Sequence, residues 1–277
     1  MVESPEEARG NDAKRGHEFF QPPENSRAAR IGRRWPITVR APGIALLTIT
    51  AYVGLLVVLL AIGLLLKHVL SHGSVGDFDH RVSHWFTSRR TNTWNLVTTI
   101  ITFLADAPEI AAMVVIASGV LIVRHWGRRS VLLLLAFAIE LSVFLTSNFI
   151  VARQRPTVKH LGGTPGTYGF PSGHSAAAIA LYGGLALLIT ATTDRRFVRF
   201  LAWTAAVLLA IAVGISRVYR GEHFPTDVIA GFILGVGSLL LAQFIVRISC
   251  TEHDAPGGAG ISSSNSSSKH HLSGGAS

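Results

Sequence analysis

The strongest constraint on the fold is a series of long apolar runs separated by short polar segments. Residues 44–66 carry no charge, and a helix of about 20 apolar residues is long enough to cross a bilayer. The chain is 49% hydrophobic and only 15% charged, which is typical of a membrane protein rather than a soluble domain. We expect an all-α integral membrane protein, with further spans at residues 131–151, 171–193, 198–215 and 228–246.

A sixth span is expected between the first two of these, but its course is ambiguous. Residues 96–104 and 110–123 are apolar, and the segment between them has the pattern of a helix start. Asp106 is suited to the N-cap and Pro108 to the first turn. Either one helix runs through this segment, or a shallow helix precedes a short span. The mixed residues 67–95 predict a short helix along the membrane interface.

Basic residues predict the orientation of the six spans. The formal net charge is +9, but the arginines cluster at the ends of apolar runs, as in loops 124–129 and 194–199. This pattern is typical of cytoplasmic loops and does not resemble a nucleic-acid-binding face. We therefore expect a multi-pass protein of the plasma (inner) membrane with both termini in the cytoplasm. The predicted divisions are a disordered basic tail at 1–40, a membrane domain at 41–248 and a disordered Gly/Ser-rich tail at 249–277.

A polar cluster precedes the last apolar run, at residues 216–227. If the chain becomes helical near Pro225, His223 and Asp227 lie about one turn apart, so the carboxylate can hold one imidazole nitrogen. The other nitrogen is then free to attack or to take a proton. Arg217 offers a planar fork for an anion, most naturally a phosphate. The alternative is a membrane-edge cluster of arginines with a solvated histidine.

A second polar motif opens the fourth span. Ser172, Gly173 and His174 begin a predicted helix, whose backbone N–H groups and dipole form an anion site. Gly173 lets the backbone approach a ligand closely. Arg155, in the preceding loop, can clamp phosphoryl oxygens. Two histidines that titrate near neutral pH permit nucleophilic catalysis with acid–base assistance.

Together these segments resemble the three signature motifs of the type 2 phosphatidic acid phosphatase superfamily. The residues concerned are 155–156, 171–174 and 216–227. That superfamily includes lipid phosphatases, bacterial acid phosphatases and vanadium haloperoxidases. The resemblance implies six transmembrane helices with the active site at the extracytoplasmic ends of the last four. It also implies a phosphatase that needs no metal and no other cofactor.

The resemblance assigns a role to each motif residue. His223 would attack phosphorus and carry a phosphohistidine, Asp227 would orient it, and His174 would protonate the leaving oxygen. The phosphoryl oxygens would be held by Arg155, Ser172, Gly173 and Arg217.

One position departs from the family pattern. The first motif normally begins with a lysine seven residues before Arg155, where this chain has Asn148. An asparagine can donate a hydrogen bond to phosphate but brings no charge, and Arg153 would compensate in part. Asn148 and Arg153 are therefore secondary candidates for phosphate binding.

The predicted function is hydrolysis of a lipid phosphomonoester or pyrophosphate through a phosphohistidine. Candidate substrates are undecaprenyl pyrophosphate, phosphatidic acid and phosphatidylglycerol phosphate. The alternatives are a phosphotransferase with the same intermediate and a non-catalytic lipid-binding or transport protein. The expected partners are the membrane and a lipid phosphate, with no nucleic acid. The oligomeric state is left open.

Overall fold

The structure is a computed structural model that describes residues 37–162 and 166–253. Regular structure in this part of the chain is entirely helical, as the apolar runs predict. Most of both predicted tails lies outside the described residues. The helices are α1 (Ile37–His68), a short 3-10 turn (Leu70–His72), α2 (Ser74–Ser88), α3 (Asn92–Phe103), α4 (Ala107–Val123), α5 (Gly127–Val151), α6 (Gly173–Thr192), α7 (Arg196–Tyr219) and α8 (Pro225–His253).

Five of these helices are long and apolar enough to cross a membrane: α1, α5, α6, α7 and α8. The consecutive helices α3 and α4 together form one further candidate, bent by 43° at the break between them. The total is six when this broken pair counts as a single span. The chain is thus a multi-pass membrane protein with the predicted helical architecture.

The break between α3 and α4 answers the question that the sequence left open. The helix does not run through, because α3 ends at Phe103 and α4 begins at Ala107. Asp106 takes the N-cap position and a proline stands in the first turn, as predicted. The Tyr182 hydroxyl of α6 donates to the Leu104 carbonyl at 2.7 Å, which fastens the break to the bundle.

The interior is built mainly by α1, α5, α6 and α8, with a second, smaller core where α4, α6 and α7 meet. Leu59, Leu132 and Leu234 are fully buried in the first core, and Ile110 and Val213 in the second. Large apolar side chains also cover the outer surface, which in a bilayer faces lipid. The most exposed of these on the spans include Phe149, Phe197, Phe200, Val115 and Ile116.

Two glycines allow α8 to lie directly against the start of α6. A Cβ on Gly231 would lie 2.4 Å from the Ser172 carbonyl oxygen, and one on Gly235 would lie 2.6 Å from that of Ala176. Small residues four apart are typical of close helix contacts in membranes. The close approach lets the Ser172 N–H donate to the Asp227 carbonyl at 3.0 Å. The second and third motifs are thereby joined through their backbones.

The end of α7 is shaped by a glycine in the left-handed region. Gly221 has a φ of 77°, its N–H bonds the Val218 carbonyl, and the next N–H, of Glu222, bonds the Arg217 carbonyl. These two bonds are the Schellman pattern that ends many helices. The turn reverses the chain within a few residues, so that His223 is brought back against the end of α7 that carries Arg217.

Candidate active site

All three motifs meet at one end of the bundle. Residues 153–162 and 166–172 follow the end of α5 and lead into α6, and residues 220–224 join the end of α7 to the start of α8. The motif residues that the sequence analysis selected as the candidate active site thus lie together at this end. The other end carries the α4–α5 and α6–α7 loops.

His223 is buried, and a backbone carbonyl sets its tautomer. Its Nδ1 lies 2.6 Å from the Gly169 carbonyl oxygen, which can only accept, so Nδ1 carries the hydrogen. Nε2 is left with its lone pair and lies 3.4 Å from a guanidinium nitrogen of Arg155. The nitrogen that can attack therefore faces the cation that is expected to hold phosphate.

The surroundings of His223 keep this ring neutral. Burial, together with the nearby charges of Arg155 and Arg217, holds the pKa of His223 well below its usual range. An imidazole that is neutral at physiological pH is a competent nucleophile without first losing a proton.

Asp227 occupies a different place from the one that the spacing suggested. Its carboxylate accepts from the Phe224 N–H at 2.9 Å and from Arg153 at 2.6 Å, while the His223 ring is oriented by Gly169. Because Asp227 is the third residue of α8, its side chain reaches back to the free N–H just before the helix, as in a capping box. It thus supports His223 through the adjacent backbone.

Arg153 is buried between two carboxylates. It donates to Asp79 of α2 at 2.8 Å and to Asp227 of α8 at 2.6 Å. Asp79 also accepts from the N–H and the hydroxyl of Thr226. The guanidinium of Arg153 is paired with both carboxylates, and phosphate binding by Arg153 stays a prediction. Its ion pairs connect the start of the α5–α6 loop to α2 and α8.

Asn148 is also occupied by the protein itself. Its amide donates to the carbonyls of Tyr168 and Phe170 at 3.0 and 2.8 Å, and its oxygen accepts from the Tyr168 N–H at 3.1 Å. These three bonds fix the loop just before Ser172. The side chain of Asn148 is thus bonded to the loop backbone, and its contact with phosphate stays a prediction.

Arg155 and Arg217 converge on the segment that carries His223. Arg155 donates to the Glu222 carbonyl at 2.6 Å and to Thr167, and Arg217 donates to Thr102 at 3.0 Å. The carboxylate of Glu222 is paired with Arg217 and lies 4.0 Å from Arg155. The single negative charge of this buried carboxylate thus offsets part of the positive charge of the two arginines that the sequence assigned to phosphate.

Ser172 and Gly173 lie at the start of α6, as predicted. The Ser172 hydroxyl is buried and shares a hydrogen bond of 2.9 Å with Ser175, so it is not turned outward. A Cβ on Gly173 would lie 2.9 Å from the Phe144 ring, which accounts for the glycine without a ligand. The first N–H groups of a helix have no partner within it, and these are what α6 offers to an anion.

His174 projects toward the break in the second span. Its Nε2 lies 2.7 Å from a carboxylate oxygen of Asp106. This is an ion pair when the ring is protonated. Asp106 was interpreted as a helix cap, but its side chain makes no capping bond to α4 and is turned to His174 instead.

Four residues of this region were not among the predicted site residues: Asp79, Thr102, Asp106 and Glu222. The sequence signal for Glu222 was its position inside the third motif. The other three lie in α2, in α3 and in the break before α4. The periodicity of the sequence does not show that these segments pack against the site. Among the residues that the structure describes, no group of three or more His, Cys, Asp or Glu side chains is arranged to hold a metal ion.

Comparison with known proteins agrees with the motifs. The family model of the PAP2 superfamily matches residues 130–248. The chain is 32% identical over 191 residues to phosphatidylglycerophosphatase B of Bacillus subtilis, which covers 66% of this chain and 89% of that protein. The chain belongs to the PAP2 superfamily. The comparisons make it a membrane lipid phosphatase of this group.

Two further PAP2 comparisons concern substrate class and fold. An undecaprenyl-diphosphatase of Sulfolobus acidocaldarius is 29% identical over 141 residues, covering 49% of this chain and 64% of that protein. The crystal structure of a transmembrane PAP2-type phosphatidylglycerolphosphate phosphatase from Bacillus subtilis superposes with a TM-score of 0.59. It is 28% identical, and the match covers 69% of this chain and 93% of that one.

The contacts of Asn148 generate a prediction about stability. Asn148→Leu keeps the approximate size of the side chain but leaves three backbone groups of the loop without their partner, at about 1–3 kcal/mol for each group that stays buried. We expect the melting temperature in detergent to fall by several degrees, since 1 kcal/mol corresponds to roughly 2–4 °C for a protein of this size.

The control for this substitution is Asn92→Leu, at an exposed position in the first turn of α3. Its melting temperature should stay within about 1 °C of the wild type, because exposed substitutions usually change stability little. Equal melting temperatures for the two variants would contradict the assignment of Asn148 to the loop.

Proposed function

We propose that this PAP2 phosphatase hydrolyses a phosphomonoester or pyrophosphate of a lipid through a phosphohistidine on His223. The observation that carries the proposal is the state of the His223 ring: Nδ1 donates to a carbonyl, and the unprotonated Nε2 accepts from Arg155 at 3.4 Å. A neutral nucleophile held in one tautomer next to an anion-binding cation is the arrangement that phosphoryl transfer requires.

The chemistry follows from the geometry in two steps. In the first, Nε2 of His223 attacks phosphorus, and His174 supplies the proton for the departing oxygen. Arg155 and Arg217, with the N–H groups at the start of α6, stabilise the charge on the phosphoryl oxygens. In the second, water attacks the phosphohistidine and releases phosphate and neutral His223. Neither step needs a metal ion.

The place of the site in the fold favours an amphiphilic substrate. The motifs lie at the ends of helices whose outer surfaces are apolar, so a lipid tail can remain beside the bundle while its headgroup reaches the arginines. Two of the relatives are named for phosphatidylglycerophosphate and undecaprenyl diphosphate phosphatase activities. We take these two lipids and phosphatidic acid as the candidate substrates.

A phosphotransferase using the same intermediate is the second candidate. It would differ only in the acceptor, because an alcohol would replace water in the second step. A non-catalytic lipid-binding protein is disfavoured by two observations, the contact of Nε2 of His223 with Arg155 and the contact of His174 with Asp106. The feature that favours it is the absence of the family lysine at Asn148.

We propose that the site faces the outside of the cell. The two loops at the opposite end carry exposed arginines, among them Arg124, Arg195 and Arg196. At the site end, Lys159 is exposed, whereas Arg153 and Arg217 are paired with buried carboxylates. Basic loops that lack such partners are typical of the cytoplasmic side.

The orientation can be tested by labelling introduced cysteines in a Cys250→Ser background. Lys159→Cys places a thiol at the site end and Arg124→Cys places one at the other end, both at exposed positions. In sealed right-side-out vesicles, a membrane-impermeant maleimide should label position 159 directly and position 124 only after detergent is added. The reverse order of labelling would overturn the proposed orientation.

The function is tested by phosphate release from purified protein in chelator. The panel holds undecaprenyl pyrophosphate, phosphatidic acid, phosphatidylglycerol phosphate and 4-nitrophenyl phosphate. We expect metal-free turnover that falls by at least about 10³-fold in His223→Ala, since removal of a nucleophile removes the covalent route. Wild type quenched in alkali should carry a phosphoryl group that is stable in alkali and lost in acid, and the variant should carry none.

Three results of this assay would decide against parts of the proposal. Turnover that survives in His223→Ala excludes the phosphohistidine. Turnover that requires added metal excludes the mechanism given above. Release that appears only when an alcohol acceptor is present assigns the protein to the phosphotransferases.

Glu222 generates a separate prediction about product inhibition. Its carboxylate is paired with Arg217 and near Arg155, so phosphate must bind beside it or displace it. Glu222→Gln removes the negative charge at nearly constant shape. We expect phosphate and vanadate to inhibit the variant at least about tenfold more strongly, because two like charges 4 Å apart repel by about 4 kcal/mol at an effective dielectric of 20.

The matched control is Asp194→Asn, a change of the same kind in the loop at the other end of the bundle. It should leave inhibition by vanadate as in the wild type. Inhibition constants that are equal in the Glu222 variant and this control would show that Glu222 does not oppose the phosphate.

A further inference from the structure

The carboxylate of Asp106 is the direct partner of His174, and no family motif assigns it a function. Asp106 Oδ1 lies 2.7 Å from Nε2 of the histidine. The aspartate stands at the N-cap position of α4, where such a side chain normally accepts from the helix N–H groups. Here it makes no capping hydrogen bond. Its side chain has exchanged a local bond for one to another helix, which indicates a role in the site.

The fold fixes the segment just before Asp106 by two contacts. The Tyr182 hydroxyl of α6 donates to the Leu104 carbonyl at 2.7 Å. Tyr182 belongs to a wide helical turn, Ile179–Gly183, and such turns are frequent at functional sites. Near the end of α3, Thr102 accepts from Arg217 at 3.0 Å. The segment that carries Asp106 is thus tied to the helices that carry His174 and the phosphate-binding arginine.

We propose, resting on the phosphatase function above, that Asp106 is a positioning residue for His174. Because a carboxylate can only accept, Nε2 of His174 carries a hydrogen and is turned to Asp106. Nδ1 is then the nitrogen that faces the substrate. The carboxylate fixes the ring and is the counter-ion of its protonated form, which the first chemical step consumes.

The proton can be followed through both steps. As Nε2 of His223 forms its bond to phosphorus, the bond from phosphorus to the lipid oxygen breaks, and the proton on Nδ1 of His174 passes to that oxygen. His174 becomes neutral and keeps its Nε2–H···Asp106 bond. In the second step Nδ1 takes a proton from the attacking water as the phosphorus–nitrogen bond breaks. Phosphate leaves, and both histidines return to their initial states.

The other charged groups around His174 make such a counter-ion necessary. Burial and Arg217 of α7 disfavour a positive charge on the ring, and neutral His223 contributes none. Glu222 favours the protonated ring, but its carboxylate is already paired with Arg217. Asp106 is the acid in direct contact with His174. Without its charge, the protonated ring loses its direct counter-ion, and less of it is protonated at neutral pH.

The proposal predicts a dependence on the leaving group. An alkoxide must be protonated as it leaves, a phosphate leaving from a pyrophosphate needs this less, and 4-nitrophenolate leaves without it. Asp106→Asn removes the charge at nearly constant shape, and because the Asp106 side chain makes no capping bond to α4, the substitution removes no cap from that helix. Loss of activity from this substitution therefore reports on proton transfer and not on the helix.

The experiment compares Asp106→Asn with the wild type on three substrates in chelator. We expect kcat to fall by about 10²-fold with phosphatidic acid, by less with an isoprenyl pyrophosphate and by less than about threefold with 4-nitrophenyl phosphate, since general acid catalysis contributes 10²–10⁴. With phosphatidic acid, the high-pH limb of kcat should also move down by about one unit, because a nearby opposite charge stabilises the protonated ring.

Two reference variants separate this proposal from the function on which it rests. In His174→Ala, kcat should fall by the same graded amounts on the three substrates. In His223→Ala, activity on all three substrates should be lost equally. A wild type that is inactive on every substrate refutes the phosphatase function itself. Equal losses across the three substrates in Asp106→Asn overturn the proposal and make Asp106 a purely structural residue. Faster turnover would also overturn it, because the carboxylate would then occupy the place of the leaving group.

Discussion

The start of α8 is the structural element on which the site depends. Two carboxylates accept hydrogen bonds from the free N–H groups at this helix start. Asp227 accepts from the Phe224 N–H, and Asp79 accepts from the Thr226 N–H. Arg153 lies between the two carboxylates and bonds to both. Buried charges are costly unless they are paired and hydrogen-bonded, so this arrangement specifies one placement of α2, α8 and the α5–α6 loop relative to each other. That placement sets the carbonyl of Gly169 against His223 and so fixes the tautomer of the nucleophile.

The broken second span supplies the opposite wall of the site. A continuous helix across residues 92–123 would satisfy its own backbone, whereas the break exposes polar groups that must find partners. The Leu104 carbonyl finds Tyr182, and the Asp106 carboxylate finds His174. The break is therefore stabilised by the same contacts that hold the second histidine. A straight helix would be more stable in isolation, but it would leave His174 without its partner.

The sequence predicted the spans and the motif residues because both are local signals. A charge-free run of more than twenty residues has few alternatives to a membrane helix, and His223 and Asp227 share one short segment. The partners of these residues could not be predicted in the same way. Asp79 lies in an amphipathic helix and Asp106 in a segment with the composition of a cap, and only tertiary packing brings them to the site. For Asn148 and Arg153, the family motif suggested phosphate binding but could not predict their partners in the fold. Asn148 bonds to the loop backbone, and Arg153 bonds to carboxylates that include Asp227 of α8.

The distribution of charge links the resting site to its substrate. Arg217 is buried at the end of a membrane helix, where an unpaired cation is expensive, so a resident anion is required until the substrate arrives. Glu222 meets this requirement from the neighbouring turn, and Asp106 does the same for a protonated His174. A neutral headgroup offers no charge in exchange for these pairs, whereas a phosphate bound as proposed brings negative charge to the arginines. The carboxylates thus stabilise the buried arginine and at the same time favour, in the proposed function, ligands that are anionic enough to compete with them.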